Sequence, residues 1–503
     1  MGTFHFLRSF SLRLRHCIKT WPAFLFLLPL FFVLHGITIN YNAVPYGEAI
    51  KLTGWYILVA VLIAGICWLF YRDRTKAAIL SFFIMAFHFF FGNVQDSIKS
   101  FSPLSFFSQY RFLLPVGFCL LLAIMIMLNK RKRTLHRLTT YLNILLLLLA
   151  LTDTFLLITM SWQKRYEGNT GTTGLTLCDT CPKPDIYLLL FDQYAGHGAL
   201  KEVFGFDNSG FENELQRRGF HVVAGSRSNY NLTPFSMASL LEMDYLSPEM
   251  GSKKNLNVGY SYRAIQNSRA IQLLNEHGYR FYNHSVFDFP GQPAHKYAMF
   301  FPYGTKLITS KTFVSRIARD IRSAISEGKL GLKAAQIKIA YEGLHFNNDI
   351  FEVTKNLAAT RSDEPKFVYA HFMMPHFPYY FDSKGHQLPL EKLLKSRKEN
   401  AEAYIEYLQY CNTRILELAE YILARSPNPP VIMLLSDHGF RHPEKKADRR
   451  YDFMNFNAIY LPGKNYHHFH DSLTSVNHFR VFFNSCFNQR FPLLKDSTID
   501  LWD

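Results

Sequence analysis

The first third of the chain contains five apolar runs, at residues 21–37, 55–71, 77–94, 112–128 and 141–162. A helix that crosses a membrane needs roughly 17–25 predominantly apolar residues, so each run predicts one membrane span. Trp21, Trp55, Tyr110 and Trp162 lie at the ends of runs, where amphipathic rings prefer the membrane–water interface. No small-residue cleavage site follows the first run, which favours a retained span over a signal peptide.

Basic residues surround these runs unevenly, and this predicts their orientation. The N-terminal tail, the second loop and the fourth loop together contain twelve Lys and Arg, whereas the first and third loops contain three. Loops rich in positive charge stay in the cytoplasm, so the N-terminus is predicted to be cytoplasmic. Because the number of spans is odd, everything after residue 162 is expected on the periplasmic or extracellular side of the inner (cytoplasmic) membrane.

The formal net charge of +16 arises mainly in these membrane-flanking segments. Residues 1–160 contain 15 Lys and Arg but only four acidic residues. No nucleic-acid partner is therefore expected. One of the four acids, Asp153, lies inside the fifth run. A carboxylate within a membrane is costly, so it either contacts a lipid headgroup or another helix for a functional reason, or makes a helix-packing hydrogen bond.

The composition changes after the fifth run and predicts three parts: a transmembrane domain at 1–163, a Gly- and Thr-rich linker at 164–183, and an outer domain at 184–503. Cys178 and Cys181 form a lone CxxC in the linker. A zinc knuckle would need a second such pair or nearby histidines, and Pro182 and Pro184 disfavour the context of a redox motif. A local disulfide in an oxidising compartment is the favoured interpretation.

The outer domain alternates short apolar runs with helical segments. The predicted strands are 185–191, 279–283, 367–371 and 431–435, and the helical segments include 268–277 and 399–425. This alternation predicts an α/β sandwich with a mostly parallel central sheet. In such sheets, ligands gather at the carboxyl ends of the strands.

Chemically useful side chains follow two of these strands. Asp192 follows the first strand, and Asp437 and His438 follow the fourth, in the run VIMLLSDHG. Taken singly, the aspartate could be a cap and the Asp-His-Gly a turn. Together, carboxylate oxygens and an imidazole nitrogen suit one Zn²⁺ or Mn²⁺ ion.

Thr233 begins the apolar helical segment TPFSMASLLEM. Because Pro is well tolerated as the first helical residue, Pro234 is predicted to occupy that position and Thr233 the N-cap. The Thr233 hydroxyl could cap the helix. It could equally act as a nucleophile, because a bound cation would lower its pKa and the free helix amides would stabilise an anion.

The order of these motifs resembles the sulfatase branch of the alkaline phosphatase superfamily, over about residues 184–465. A strand ending in Asp is followed by Thr-x-x-Ser-x-x-Ser-Leu-Leu, then Pro-His-x-Pro-Tyr, then Ser-Asp-His-Gly. Five spans followed by such a domain are also the layout of lipoteichoic acid synthases and lipid A phosphoethanolamine transferases. The resemblance implies metal ligation by Asp192, Thr233, Asp437 and His438, with Thr233 as the nucleophile.

The same resemblance implies a substrate-binding and catalytic role for His376 in MMPHFPYY, with assistance from His371. Arg227 and Arg441 are candidate phosphate clamps, although both could be ordinary surface residues. Sulfatases proper carry a modifiable Cys or Ser in a Cys/Ser-x-Pro-x-Arg frame, and many have a second Asp where this chain has Gln193. The chain departs from both patterns, which disfavours sulfate-ester hydrolysis. Relatives with two zinc ions need a further Asp and two His, and because no partner Asp is evident beside His371 and His376, a one-metal site is favoured.

The favoured hypothesis is therefore a transferase that moves phosphoethanolamine or phosphoglycerol from a membrane phospholipid donor, through a phospho-threonine, to an envelope lipid or glycan acceptor. Two alternatives stay open. A phosphodiesterase or sulfatase-type hydrolase would differ only in its acceptor. A non-enzymatic lipid-sensing or assembly protein would have no need of the Asp, Thr and His set.

Overall fold

The structure is a computed structural model that describes residues 20–41, 43–130, 135–167, 178, 181–247, 257–295, 302–395, 400–441 and 448–501. The chain forms two compact units. The first contains Met1–Thr173 and Pro302–Ser323, and the second contains Gly174–Phe301 and Ala324–Asp503. The basic N-terminal tail and most of the predicted linker lie outside the described residues.

The described part of the first unit begins with five apolar helices. They are α1 (Phe24–Ile39), α2 (Tyr46–Tyr71), α3 (Arg74–Ser100), α4 (Tyr110–Lys130) and α5 (His136–Glu167). Among the residues described, α2 to α5 are long and apolar enough to cross a membrane, whereas α1 has only 16 residues. The structure thus provides four candidate spans and a shorter apolar helix at the position of the first predicted span.

Aromatic stacking and a few polar contacts join these helices. Phe32 of α1 stacks on Phe89 of α3, with ring centroids 4.2 Å apart. The Ser81 hydroxyl of α3 donates to the Ala60 carbonyl of α2 at 2.8 Å. Asn143 of α5 accepts from the Phe24 amide at 2.7 Å, which satisfies one of the amides that a helix start leaves without an intrahelical partner.

Asp153 contacts a second helix. Its carboxylate lies 3.2 Å from His35 Nδ1 of α1, and only 6% of its side chain is exposed. A polar pair between two apolar helices supplies each partner with the hydrogen bond that lipid cannot provide. This contact favours the helix-packing interpretation of Asp153.

Residues 302–323 lie within the predicted outer domain at 184–503, but they belong to the helical unit. They contain α11 (Lys306–Thr309) and most of α12 (Phe313–Ser326). The Gly92 amide donates to the Lys311 carbonyl at 2.8 Å, and a side chain at Gly92 would overlap that backbone. A close approach of this kind leaves no room for any residue larger than glycine.

The second unit is built on a six-stranded mixed sheet with the order β2-β6-β5-β1-β4-β3. The strands are β1 (Ile186–Phe191), β2 (His221–Val222), β3 (Arg280–His284), β4 (Lys366–Phe372), β5 (Val431–Leu435) and β6 (Asn457–Tyr460). Strands β3, β4, β1 and β5 are parallel, and β6 pairs antiparallel with β5 on one side and with the edge strand β2 on the other. Every residue of β1, β4 and β5 is buried, as expected for parallel strands covered on both faces.

Helices of the second unit form two groups. In one group, helices pack around α8 (Thr233–Glu242); in the other, α14 (Glu342–Ala359) packs against α16 (Ala401–Arg425). The helices are α6 (His197–Phe204), α7 (Ser209–Arg217), α8, α9 (Val258–Gln266), α10 (Arg269–Glu276), α13 (Lys333–Ala340), α14 (Glu342–Ala359), α15 (Leu390–Lys395), α16 (Ala401–Arg425) and α17 (Ser475–Cys486).

The four predicted strands correspond to β1, β3, β4 and β5, each within one residue at either end. Strands β2 and β6 were not predicted, because two and four residues are too short for a recognisable pattern. A disulfide joins Cys178 to Cys181, in agreement with the favoured interpretation of the CxxC.

His478 of α17 is expected to make the second unit sensitive to acid. Its side chain is fully buried and neither ring nitrogen has a hydrogen-bond partner, and burial lowers its pKa to about 3. Between that pKa and the ordinary value of about 6.5, the unfolded chain binds a proton that the folded chain does not, so stability falls as the pH falls. We expect His478→Leu to reduce the loss of stability between pH 7 and pH 4, measured by urea unfolding. An unchanged pH dependence would contradict this expectation.

Candidate metal centre

Two neighbouring strands bring the three predicted ligands together. Strands β1 and β5 are parallel and pair Leu190 with Leu435, so Asp192, Asp437 and His438 follow their strands at the same edge of the sheet. One potential ligand atom from each of these three residues lies within 4.8 Å of the others, and all three side chains are buried.

Each carboxylate is held through one oxygen, and the other has no partner. Asp192 Oδ2 lies 3.4 Å from His371 Nε2, whereas Asp192 Oδ1 has no hydrogen-bond partner. Asp437 Oδ1 accepts from the Gln193 amide at 3.0 Å, whereas Asp437 Oδ2 has no hydrogen-bond partner. A buried, unpartnered carboxylate oxygen costs free energy, and ligation of a cation would remove that cost.

The His438 ring is oriented to present a lone pair to the same space. Its Nδ1 lies 2.7 Å from the Gly439 carbonyl, which assigns the proton to Nδ1 and leaves Nε2 as an acceptor. Burial lowers the pKa of His438 and favours this neutral form. Nε2 then lies 3.1 Å from Asp437 Oδ2 with no hydrogen bond between them. Two electron-rich atoms at this distance suit a shared cation. A ligating histidine usually donates its other ring N–H to a carbonyl, as His438 does to Gly439.

Charges around Asp192 keep its carboxylate ionised. Burial alone would raise its pKa, but the nearby His376 and the hydrogen bond from His371 outweigh burial and hold the pKa of Asp192 below its usual range. Two carboxylate oxygens and one imidazole nitrogen are a donor set that Zn²⁺ and Mn²⁺ both accept. The residues present therefore fit a single divalent ion.

The Thr233 hydroxyl borders this group. Its Oγ1 lies 3.4 Å from His438 Nε2, and the side chain is buried. The prediction that Thr233 is the N-cap is wrong by one residue: α8 begins at Thr233, and Leu232 is the N-cap. The cap residue has an apolar side chain and makes no side-chain cap hydrogen bond. The Thr233 hydroxyl is thus not at the capping position.

The two other hydroxyls of this helix have structural hydrogen bonds. Ser236 Oγ donates to the Asp437 carbonyl and so ties α8 to the loop that carries Asp437 and His438. Ser239 Oγ donates to the Asp244 carbonyl at 2.8 Å, beyond the end of the helix. Of the three hydroxyls, the one belonging to Thr233 contacts His438, which favours Thr233 as the nucleophile.

Gln193 holds the two aspartate-bearing loops together through its backbone. Its φ of 62° lies in the left-handed region, which a side chain larger than glycine adopts at some cost. In that conformation its amide donates to Asp437, and its carbonyl accepts from the Tyr404 hydroxyl at 2.9 Å. Because Tyr404 lies more than 200 residues away in sequence, no local pattern indicated this role.

His371 is fully buried on β4 and faces Asp192. The Tyr369 hydroxyl lies 3.5 Å from His371 Nδ1, and burial raises the pKa of Tyr369 well above its ordinary value, so this hydroxyl stays protonated and donates. His371 Nε2 then carries the proton that it donates to Asp192. This chain of contacts favours a positioning role for His371 rather than the predicted contact with substrate.

The remaining predicted residues lie at different places. His376 is partly exposed, and its Nδ1 lies 2.6 Å from the Phe377 carbonyl, which leaves Nε2 available. The low pKa of His438 arises mainly from burial, and the positive charge of Arg441 lowers it further. The backbone of Arg227 bridges to Met454 and Thr474, and none of the described contacts joins its guanidinium to the metal-binding group.

Gly439 completes the loop after β5. Its amide donates to the Asp452 carbonyl at 2.8 Å, and a Cβ at this position would overlap the carbonyl oxygens of Tyr451 and Met454. Close backbone packing therefore requires glycine in the Asp-His-Gly sequence.

The model of the sulfatase family matches residues 213–482, which is more than half of the chain. The chain belongs to the sulfatase family. The matched region contains Thr233, His371, His376, Asp437 and His438, whereas Asp192 precedes it. Members of this family are enzymes of the alkaline phosphatase superfamily that hydrolyse or transfer sulfuryl or phosphoryl groups. No curated protein matches the chain.

Several solved structures are similar in part. The zinc complex of the C-terminal periplasmic domain of EptC from Escherichia coli is 10% identical, with 62% of this chain and 86% of that chain covered and a TM-score of 0.38. The corresponding domain of phosphoethanolamine transferase EptC from Campylobacter jejuni is 13% identical, with 62% and 92% covered and a TM-score of 0.35. A putative sulfatase from Bacteroides thetaiotaomicron is 11% identical, with 64% and 74% covered and a TM-score of 0.36. Superpositions this partial carry no inference about the substrate.

Proposed function

We propose that this chain is a membrane-bound, metal-dependent transferase. It moves a phospholipid headgroup, phosphoethanolamine or phosphoglycerol, to an envelope lipid or glycan through a covalent phospho-threonine. The observation that carries the proposal is the Thr233 hydroxyl, 3.4 Å from His438 Nε2 beside two half-satisfied carboxylates. A nucleophilic hydroxyl at the border of a cation site is the arrangement that attack on a phosphodiester requires.

Asp192, Asp437 and His438 would hold the divalent ion, with Thr233 Oγ1 as a further ligand. The ion would lower the pKa of the Thr233 hydroxyl, so that its proton is lost to solvent, and would draw charge from the phosphate oxygens. Zn²⁺ and Mn²⁺ both suit these ligands.

In the first step, Thr233 Oγ1 attacks the phosphorus of the donor lipid. A new Oγ1–P bond forms, the bond from phosphorus to the diacylglycerol oxygen breaks, and His376 Nε2 in its protonated form gives its proton to that oxygen. In the second step, the acceptor hydroxyl gives its proton to the neutral His376 and attacks phosphorus, and Thr233 leaves as the alkoxide. Arg441 would neutralise phosphate oxygens in both steps.

The apolar helices support a lipid donor, because they confine the enzyme to the surface where that donor is concentrated. We further propose five spans, with the sulfatase-family domain on the outer side of the inner membrane. The support is the positive charge of the segments before α1, between α2 and α3, and between α4 and α5. A phosphatase reporter fused after Trp162 should be active, and one fused within residues 130–137 should be inactive. The reverse pattern would contradict this topology.

The transferase is tested by product analysis with the full-length protein in vesicles of phosphatidylethanolamine or phosphatidylglycerol. We expect metal-dependent release of diacylglycerol from at least one lipid, and transfer of its headgroup to an added acceptor such as lipid A or an alkyl glucoside. Chelation of the metal should abolish both products.

Release of the free headgroup without any transfer would indicate a hydrolase, which uses water as the acceptor at the same site. If neither product forms with metal present, the proposal is contradicted, and the lipid-sensing or assembly role becomes the better account.

A further inference from the structure

A second polar site lies in the helical unit, far in sequence from the metal centre. A cavity of about 490 Å³ opens where α3 ends, at the 3-10 helix Ser102–Ser108, the start of α4 and the face of α12. Its lining contains both basic and acidic side chains, including Gln95, Asp96, Lys99, Arg316, Arg319 and Asp320. All of these residues belong to the helical unit, so the cavity is complete within it.

The side chains beside the cavity are of the kinds that occur at a membrane–water interface. Phe101, Phe106 and Phe107 expose 62%, 51% and 48% of their surface on the segment between α3 and α4. The Arg111 guanidinium lies 4.6 Å from the centre of the Phe106 ring. Exposed rings combined with a basic residue at the end of an apolar helix are typical of the headgroup level of a bilayer.

Helix α12 repeats this pattern on its own surface. Val314 and Ile321 expose 60% and 48% of their surface, whereas Arg316 pairs with Asp96 at 2.6 Å. An exposed apolar side combined with several arginines is typical of helices that lie in the plane of a membrane interface. The cavity is bordered by this helix and by the ends of two candidate spans.

The polar groups of the cavity are only partly satisfied. Asp320 accepts from the Tyr110 hydroxyl at 2.5 Å and from Arg319 Nε at 3.2 Å. In contrast, Arg316 Nε and Gln95 Oε1 are buried and have no hydrogen-bond partner. One is a donor and the other an acceptor, so a matching ligand would carry both an acceptor and a donor.

We propose that this cavity binds the headgroup of a zwitterionic phospholipid that carries a phosphate and a primary amine. Lys99, Arg316 and Arg319 receive the phosphate oxygens, because guanidinium and ammonium groups form charge-assisted hydrogen bonds with phosphate. Gln95 Oε1 and Asp96 receive the amine. The presence of both charge signs distinguishes this ligand from a purely anionic lipid. The site does not depend on the function proposed for the metal centre.

The test is native mass spectrometry of the full-length protein, purified from an equal mixture of phosphatidylethanolamine and phosphatidylglycerol with identical acyl chains. We expect phosphatidylethanolamine to be retained about tenfold more than phosphatidylglycerol. The double variant Lys99→Gln/Arg319→Gln should lose about tenfold of that retention, since both residues are exposed and their replacement leaves the packing intact.

Two further variants test which residues cause the difference in retention. Lys51→Gln removes an exposed basic residue of α2 that does not line the cavity, and it should retain lipid like the wild type. Gln95→Leu removes the amine acceptor and should bring the retention of the two lipids close to equal. Equal retention of both lipids by the wild type would overturn the proposal. So would a double variant that behaves like Lys51→Gln.

Discussion

Replacing Thr233 by alanine is expected to abolish turnover while leaving the sulfatase-family domain folded. Removal of an active-site nucleophile typically reduces the turnover number by about 10⁴-fold or more. The cost in stability should be about 1 kcal/mol, because only a small part of a buried side chain is lost and the capping position belongs to Leu232. Turnover is measured as metal-dependent release of diacylglycerol, and stability by urea unfolding.

Two variants control this result within the same helix. Thr233→Ser keeps a hydroxyl beside His438 and should retain substantial turnover. Ser239→Ala also removes one hydroxyl from this helix, but that hydroxyl donates to the Asp244 carbonyl, so turnover should stay near the wild-type value. If Thr233→Ala keeps more than a tenth of wild-type turnover, Thr233 is not the nucleophile.

Replacing Asp437 by asparagine is expected to remove the metal. Asparagine keeps the shape of the side chain and an oxygen that can accept from the Gln193 amide, but it loses the charge of the orphaned Oδ2. Loss of a residue that only hydrogen-bonds to a metal ligand costs roughly 10–100-fold in metal affinity, and loss of the ligand itself should cost at least the upper end of that range. Metal content after gel filtration measures the effect directly.

Thermal unfolding provides an independent measure for the same variant. A ligand at 100 times its dissociation constant stabilises the folded state by about 2.7 kcal/mol. Added Zn²⁺ or Mn²⁺ should therefore raise the midpoint temperature of thermal unfolding of the wild type but not that of Asp437→Asn. The matched control is Asp207→Asn, an exposed aspartate that is not part of the metal-binding group. A metal response in Asp437→Asn equal to that of the control would contradict the site.

Much of the candidate site follows from the order of short apolar runs along the chain. Asp192 and Asp437 directly follow strands that are apolar throughout, and the carboxyl ends of neighbouring parallel strands meet at one edge of a sheet. The unpartnered oxygen on each carboxylate could not be predicted, because it depends on the direction of the Gln193 amide and on the proton of His371. Both are set by tertiary contacts.

Other features could not be predicted from the sequence, for similar physical reasons. Tyr369 lies in a strand whose pattern is that of a buried core, and its contact with His371 Nδ1 follows from both side chains pointing to one face, two residues apart. Residues 302–323 join the helical unit through the close approach of Gly92 and Lys311, and a glycine in an apolar helix does not reveal its partner. The predicted start of α8 differs from the observed start by one residue, which is within the usual uncertainty of a helix end.

The most direct test of a covalent phospho-threonine is the intact mass of the full-length, metal-loaded protein after acid quenching. The protein is incubated with phosphatidylethanolamine or with phosphatidylglycerol, without an acceptor. We predict a mass increase equal to the phosphoethanolamine or phosphoglycerol group, located on the peptide that contains Thr233 and absent from Thr233→Ala. The account would be contradicted by an unmodified mass with both lipids in a preparation that releases diacylglycerol, or by an adduct that persists in Thr233→Ala or maps to Ser236.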